Sequence, residues 1–335
     1  MYYKSIFYTS LMTGTFIAIS SYSWMGMWMG LEINLLSIIP LISNTNNMMA
    51  SEAALKYFVT QALASTLLLF SIISLSMTLM YNINPNLYIS LILNTAILMK
   101  VGAAPFHFWF PEIMEGLSWI NATIMLTWQK IAPLVILMYS YYTVSYLTMS
   151  IISCMMISGI MGNNQTNLRK ILTYSSINHI GWMIATIMFF NTIWMYYFIV
   201  YTIITLNITL IFSYLNIFYL KQLFMSMNKN TMIKFFFIMN FLSLGGLPPF
   251  LGFLPKWITI QMMIENSSYM LVFIMMVLTL MTLYFYIQIT YSTILLQMNE
   301  ITWNKPKNQP KFWIMLFNFM SLTSLILSTM IFNFI

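Results

Sequence analysis

Lys56, Lys100, Lys130, Lys256 and Glu32 sit inside long apolar runs of this chain. A charge at the centre of a bilayer costs about 2.5 to 3.5 kcal/mol on insertion scales, so embedded ionisable side chains point first to proton or ion handling. Glu32 lies about eight residues into its run, in Trp28-Met-Gly-Leu-Glu32-Ile-Asn34, too deep for easy contact with water. Lys100, in Asn94-Thr-Ala-Ile-Leu-Met-Lys100-Val-Gly102, stands just before a Gly- and Pro-rich interruption. Lys130, in Thr127-Trp-Gln-Lys130-Ile-Ala-Pro133, is deep in its run, and Pro133 weakens the helix ladder there. Lys256 directly follows a second interruption, where freed backbone groups tolerate water and a cation. For each the bland alternative is a static structural ion pair.

The remaining ionisable residues are weaker candidates. Lys56 falls in the first turn of its run, where its long stem can snorkel to the interface. Glu52, beside Ser51, suits a helix N-terminus, and Glu112 and Glu115 after Pro111 suit the start of a short half-helix. His107 lies inside the first interruption, and His179, in Tyr174-Ser-Ser-Ile-Asn-His179-Ile-Gly-Trp182, is either a relay or a hydrogen-bonded packing residue.

Three buried lysines against one buried glutamate cannot all stay charged without a large uncompensated excess. Unit charges 4 Å apart at an effective dielectric near 20 attract by about 4 kcal/mol, so modest movements suffice to move protons. With Glu32 close, Lys100 holds its proton; with Glu32 withdrawn, Lys100 passes it to Lys130 through water or polar side chains. Asn34, Gln129, Ser175 and Ser176 are candidates to line that route.

The elements that position these groups follow from composition. The chain has 335 residues, of which 60% are hydrophobic and 6% charged, against roughly 25% charged residues in soluble domains. Apolar runs near the ~20 residues that cross a bilayer recur along almost the whole length. Breaks at polar turn clusters place about eleven spans near 4–22, 24–43, 54–80, 87–110, 119–142, 146–162, 171–190, 193–219, 234–264, 269–297 and 312–334. The runs are apolar on both faces, unlike alternating barrel strands. The fold class expected is an all-α polytopic membrane protein, residues 1–335 forming a single integral-membrane domain.

Lys4, Arg169, Lys170, Lys221, Lys229, Lys234, Lys305, Lys307 and Lys311 then fall on one side of the membrane, and no basic residue falls in the loops of the other. That asymmetry accounts for the net charge of +7; scattered single lysines do not make a nucleic-acid surface. The single cysteine, Cys154, excludes a disulfide framework and four-thiolate iron–sulfur ligation and reads as a small packing residue. The first run has no basic n-region or small-residue cleavage site, so no removable signal is expected. The absence of Asp and the 34 Met residues suggest an AT-rich organellar genome with an extra Met codon.

Gly102-Ala-Ala-Pro-Phe-His-Phe-Trp-Phe-Pro-Glu112 and Gly246-Leu-Pro-Pro-Phe-Leu-Gly-Phe-Leu-Pro-Lys256 align without gaps at an offset of 144 residues. Each puts Gly and Pro where an unbroken helix cannot continue. Paired broken spans point to two inverted five-helix repeats, about 1–142 and 146–297, each with one broken helix, plus a final helix at about 312–334. On residues alone, a proton-pumping subunit, a stand-alone cation/proton antiporter and a structural scaffold with static ion pairs all remain open.

The segments AALKYFVTQALAS (53–65), MKVGAAPFHFWFPE (99–112), LTWQKIAP (126–133), RKILTYSSINHIGWM (169–183) and SLGGLPPFLGFLPKW (243–257) closely resemble the chain 2 family of mitochondrial NADH:ubiquinone oxidoreductase, respiratory complex I. The resemblance covers nearly the whole chain, and the composition looks insect-like. It implies an antiporter-like, proton-translocating membrane-arm subunit of a redox-driven enzyme, with Glu32, Lys100, Lys130 and Lys256 at the family's proton-path positions and Lys56 and His179 as lesser candidates. It also implies other membrane-arm subunits as obligatory partners, lipids with cardiolipin among them, and no metal or redox cofactor in this chain, flavin, iron–sulfur clusters and ubiquinone belonging to other subunits. It further implies the mitochondrial inner membrane, with the N-terminus on the matrix side and the C-terminus on the intermembrane-space side, and the loss of three N-terminal helices found in bacterial relatives.

Overall fold

A computed structural model describes residues 2–44, 47–80, 87–140, 143–227 and 231–296, together with residues 312, 315, 316, 318 and 319. The expected final span at 312–334 lies, but for those five positions, outside the described residues, as do Lys229, Glu300, Lys305, Lys307 and Lys311. Every regular element among the described residues is a helix: α1 (Tyr2–Ser20), α2 (Trp24–Ile42), α3 (Met48–Met80), α4 (Leu87–Val101), α5 (Trp109–Gly116), α6 (Trp119–Leu126), α7 (Trp128–Tyr139), α8 (Val144–Gly162), α9 (Leu168–Phe189), α10 (Asn191–Leu215), α11 (Leu220–Met227), α12 (Thr231–Gly245), α13 (Phe253–Glu265) and α14 (Tyr269–Leu295). Among the described residues six stretches are long and apolar enough to cross a membrane, namely Trp24–Ile42, Met48–Thr78, Trp119–Tyr139, Val144–Gly162, Asn191–Leu215 and Tyr269–Leu295. Leu87–Val101 and Thr231–Gly245 are shorter apolar helices. The chain is thus a polytopic helical membrane protein.

It falls into two compact units, Met1–Cys154 and Met155–Ile335. In the first, α1 and α2 meet where glycine removes the side chain: a Cβ on Gly30 would lie 2.5 Å from the Ala18 backbone nitrogen. Gly14 and Ala18 on α1, four residues apart, complete a small-residue seam of the kind that lets membrane helices approach closely. In the second unit, α9 carries Thr173, Ser175, Ser176, Asn178 and His179 and is nevertheless buried from Ile171 to Ile187. Its neighbours shield it, so it needs no lipid-facing apolar surface.

Three details differ from the sequence expectation. The span predicted from 54 starts at Met48, where Asn47 Oδ1 accepts from the Met49 N–H at 3.2 Å. Glu52 therefore sits in the second turn and caps nothing. The span predicted as one piece at 119–142 is two helices joined at Thr127, whose N–H and hydroxyl both bond the Thr123 carbonyl, at 3.0 and 2.7 Å. A short helix, α11, was not foreseen; its start is tied to the α9 N-terminus by Leu168 N–H to Phe218 O at 2.9 Å and Leu220 N–H to Thr166 O at 3.0 Å.

Candidate functional site

The two predicted interruptions are built alike. α4 ends at Val101 and Gly102 follows with φ +79°; α12 ends at Gly245 and Gly246 follows with φ +80°. In each, the glycine N–H returns to the carbonyl three residues back, Met99 or Ser243, at 3.2 and 3.0 Å, and the next residue's N–H to the carbonyl five back, Leu98 or Leu242, at 3.0 and 3.4 Å. This is the Schellman ending, and it needs a left-handed residue that glycine adopts without a Cβ clash. The chain then turns through Pro-rich sequence into a second half-helix, α5 or α13.

Backbone groups freed inside a membrane must find partners. At the first break the Ala104 N–H meets Cys154 Sγ at 3.1 Å and the Ala104 carbonyl accepts from Ser153 Oγ at 3.1 Å, both from α8. Cys154 is thus a hydrogen-bond partner of the break and not only a packing residue. The Met99 carbonyl accepts from Trp109 Nε1 at 3.1 Å and the Lys100 carbonyl from Gln61 Nε2 at 3.4 Å.

With its carbonyl served by a neutral donor, the Lys100 side chain is available for other contacts. Its Nζ lies 4.0 Å from Glu32 Oε1, the side chains being 3% and 23% exposed. That is the outer edge of an ion pair, and Glu32 Oε1, buried, accepts no hydrogen bond among the described residues. The same lysine shares a small cavity, about 20 Å³, with Lys130; Asn34, Tyr57, Gln61 and Gln129 supply the rest of its polar lining. Such a volume holds about one water molecule. Lys130 is 2% exposed, and its Nζ stands 5.6 Å from the Phe110 ring centroid, within cation–π range.

Lys256 occupies the second unit and meets the second break differently. Its Nζ donates to Gly245 O at 2.9 Å and to Leu244 O at 3.3 Å, placing the ammonium on the negative end of α12. His179, also in the second unit, is buried, with Nδ1 hydrogen-bonded to Tyr197 Oη at 2.9 Å and its ring 5.1 Å from that of Tyr201. Ser175 and Ser176 donate back to their own helix, to the carbonyls of Leu172 and Thr173. Lys56 lies in the third turn of α3 and not the first, its side chain 43% exposed, and pairs with Glu52 at 3.0 Å and Glu112 at 2.8 Å. It joins no buried site among the described residues. Glu112 falls in the first turn of α5 as expected and ties it to α3 as well, but the helix starts at Trp109, before Pro111, so Glu115 lies in its last turn and not at its start.

Tyr57 and Gln61 escaped the sequence reading. The signal was present: Ala50, Ala53, Ala54, Tyr57, Gln61, Ala64, Leu68 and Leu75 recur at helical spacing, and all are buried. Two polar residues inside that inward stripe mark a polar interior.

The family model for the NADH:quinone oxidoreductase/Mrp antiporter transmembrane region matches residues 21–282. The chain belongs to this family. NADH-ubiquinone oxidoreductase chain 2 of Anopheles gambiae is 47% identical over 337 residues, covering 98% of both chains. The Aedes aegypti protein of the same name is 48% identical over 334 residues, again covering 98% of each, and that of Equus asinus 40% over 297 residues, covering 86% of this chain and 85% of its own. Among solved structures, a chain of respiratory complex I from Thermus thermophilus with bound aureothin shares the family fold with a TM-score of 0.85 at 21% identity, covering 97% of this chain and 77% of that one. A chain of the Mrp complex from Dietzia superposes with a TM-score of 0.74 at 16% identity, covering 90% and 62%. Both solved structures share the fold seen in this chain.

Proposed function

We propose that this chain is the proton-translocating chain 2 subunit of the membrane arm of mitochondrial NADH:ubiquinone oxidoreductase, and that it moves protons along Glu32, Lys100, Lys130 and Lys256 while other subunits carry the flavin, iron–sulfur clusters and ubiquinone. Identity near 47% over 98% of the chain to the mosquito subunit supports the assignment to that complex. The observation that carries the mechanism is local: Glu32 stands 4.0 Å from Lys100, and Lys100 lines the same small cavity as Lys130.

At 4.0 Å the pair attracts by about 4 kcal/mol at an effective dielectric near 20. Movement of α2 against α4 tunes that attraction. Closed, the pair holds ammonium and carboxylate; opened, Lys100 gives its proton to Lys130. The similar broken helices support two inverted five-helix repeats, about 1–142 and 146–297, with eleven spans in all and a final helix at 312–334. His179 is a secondary relay candidate through Tyr197. The chain works with the other membrane-arm subunits and with lipid, cardiolipin included, in the inner membrane, N-terminus to the matrix and C-terminus to the intermembrane space.

Lys130→Met tests the reading in the assembled complex, because Met keeps the bulk and removes the titratable amine. Fewer protons should be moved per electron. Normal assembly with unchanged stoichiometry and coupled activity would overturn the relay, and transport by the purified chain alone would favour an independent antiporter.

A further inference from the structure

We propose that Gln129 is a positioning residue for proton transfer from Lys100 to Lys130, its amide oriented by Asn34 and restrained by Tyr57; this rests on the proton path proposed above. Gln129 directly precedes Lys130 on α7. Its Nε2 donates to Asn34 Oδ1 at 2.9 Å, and its Oε1 accepts from Tyr57 Oη at 3.4 Å. Asn34 and Tyr57 are each 3% exposed and come from α2 and α3, so three helices fix one amide.

An amide has two unlike ends, an acceptor oxygen and a donor NH2. With Asn34 Oδ1 facing the NH2, rotation by half a turn sets two oxygens against each other, whereas the Tyr57 hydroxyl, able to donate or accept, pairs with either end. Asn34 therefore sets the orientation, and Tyr57 restrains it. One hydrogen on Nε2 and one lone pair on Oε1 remain beyond the two bonds, beside a cavity of about 20 Å³ that Lys100 and Lys130 also line.

In a space for about one water, transfer has few steps. An N–H bond of the Lys100 ammonium breaks and an N–H bond forms on the Lys130 amine, directly or through one water that accepts and releases a proton. No other reactant is required. Gln129 neither gains nor loses a proton; its fixed dipole orients the water or amine that does. Asn34 rides on the same helix as Glu32, so a shift of α2 that parts Glu32 from Lys100 also pulls on the Asn34–Gln129 bond. Opening the pair and re-aiming the amide become one motion.

Tyr57→Phe, Gln129→Leu and the double variant, made in the assembled complex, test this. Tyr57→Phe removes one hydroxyl from a packed ring and is expected to slow proton translocation roughly three- to tenfold per assembled complex, the worth of one hydrogen bond. The pH profile of coupled activity should shift with it. In the Gln129→Leu background, Tyr57→Phe should have no additional effect, since both act through one amide. An unchanged rate and pH profile in Tyr57→Phe, or a full additional loss in the double variant, overturns the proposal. A fall in complex abundance with an unaltered pH profile per complex also overturns it. Lys130→Met run in parallel separates the two levels: if it abolishes coupling while Tyr57→Phe does nothing, the proton path stands and only the role of Gln129 falls.

Discussion

The ammonium of Lys256 caps the carbonyl of Gly245 at 2.9 Å, doing with a charged side chain what neutral donors do at the other break. Leu244, which also receives Lys256 at 3.3 Å, is the repeat counterpart of Lys100, whose own carbonyl takes the Gln61 amide. The two breaks share a backbone and differ in what holds the lysine. One lysine faces a carboxylate on another helix, which a helix shift can withdraw; the other is bound to a helix end that carries a fixed partial charge.

This difference predicts a split between two variants of Lys256. Lys256→Arg keeps donors for the Leu244 and Gly245 carbonyls but has no proton to release, because the guanidinium stays charged. Normal complex abundance on native gels with a strong loss of proton transport is expected. Lys256→Met should lose abundance as well, since unserved buried carbonyls cost about 1 to 3 kcal/mol. Full transport by the Arg variant would reduce Lys256 to a structural cap.

Gly102→Ala and Gly246→Ala should not behave alike, although both place a side chain at φ near +80°. Left-handed backbone costs a non-glycine residue roughly 1 to 2 kcal/mol, so both should lower the melting temperature of the complex. At Gly246 the new Cβ would also meet Lys256 Cδ at 2.8 Å and Nζ at 2.9 Å, whereas at Gly102 it meets the edge of Trp109 at 3.1 Å. Proton transport per assembled complex should therefore fall in Gly246→Ala and hold in Gly102→Ala. Equal losses in both would contradict the close seating of Lys256.

The breaks were legible in the sequence because Gly and Pro impose their local geometry wherever they occur, and the buried charges because apolar flanks are visible in one dimension. What escaped depends on contacts between distant segments. Cys154 could not be matched with Ala104 across 50 residues, nor Tyr57 with Gln129 across 72, from spacing alone. Glu52 was misplaced because the apolar run begins at 54, whereas Asn47 starts the helix at Met48, turning a supposed cap into one arm of an ion pair. Lys256 was rightly placed beside its break; that its stem folds back onto the end of α12 is a matter of rotamer.

Lys56→Met should leave transport untouched. The residue is 43% exposed and clasped between Glu52 and Glu112, and surface ion pairs of this kind contribute little. The expected result is a proton-to-electron ratio equal to that of the unmodified complex, at nearly normal abundance. A loss comparable to that of Lys130→Met would return Lys56 to the proton path.

Cys154 gives the test of how the first break survives in the membrane. Its Sγ takes the Ala104 N–H at 3.1 Å, and it is fully buried, so no water replaces it. Cys154→Ala leaves that N–H unsatisfied and should destabilise the complex by about 1 to 3 kcal/mol. Cys154→Ser offers an oxygen in nearly the same place and should retain most of the stability, which thermal denaturation of the purified complex can compare directly. Since Lys100 lies in the last turn of the helix that this contact anchors, the Ala variant should also lower transport per complex while Ser preserves it. If Ala and Ser are equally stable, the Sγ contact does not support the break, and Ser153 Oγ on the Ala104 carbonyl, at 3.1 Å, is left as the α8 side chain that holds it.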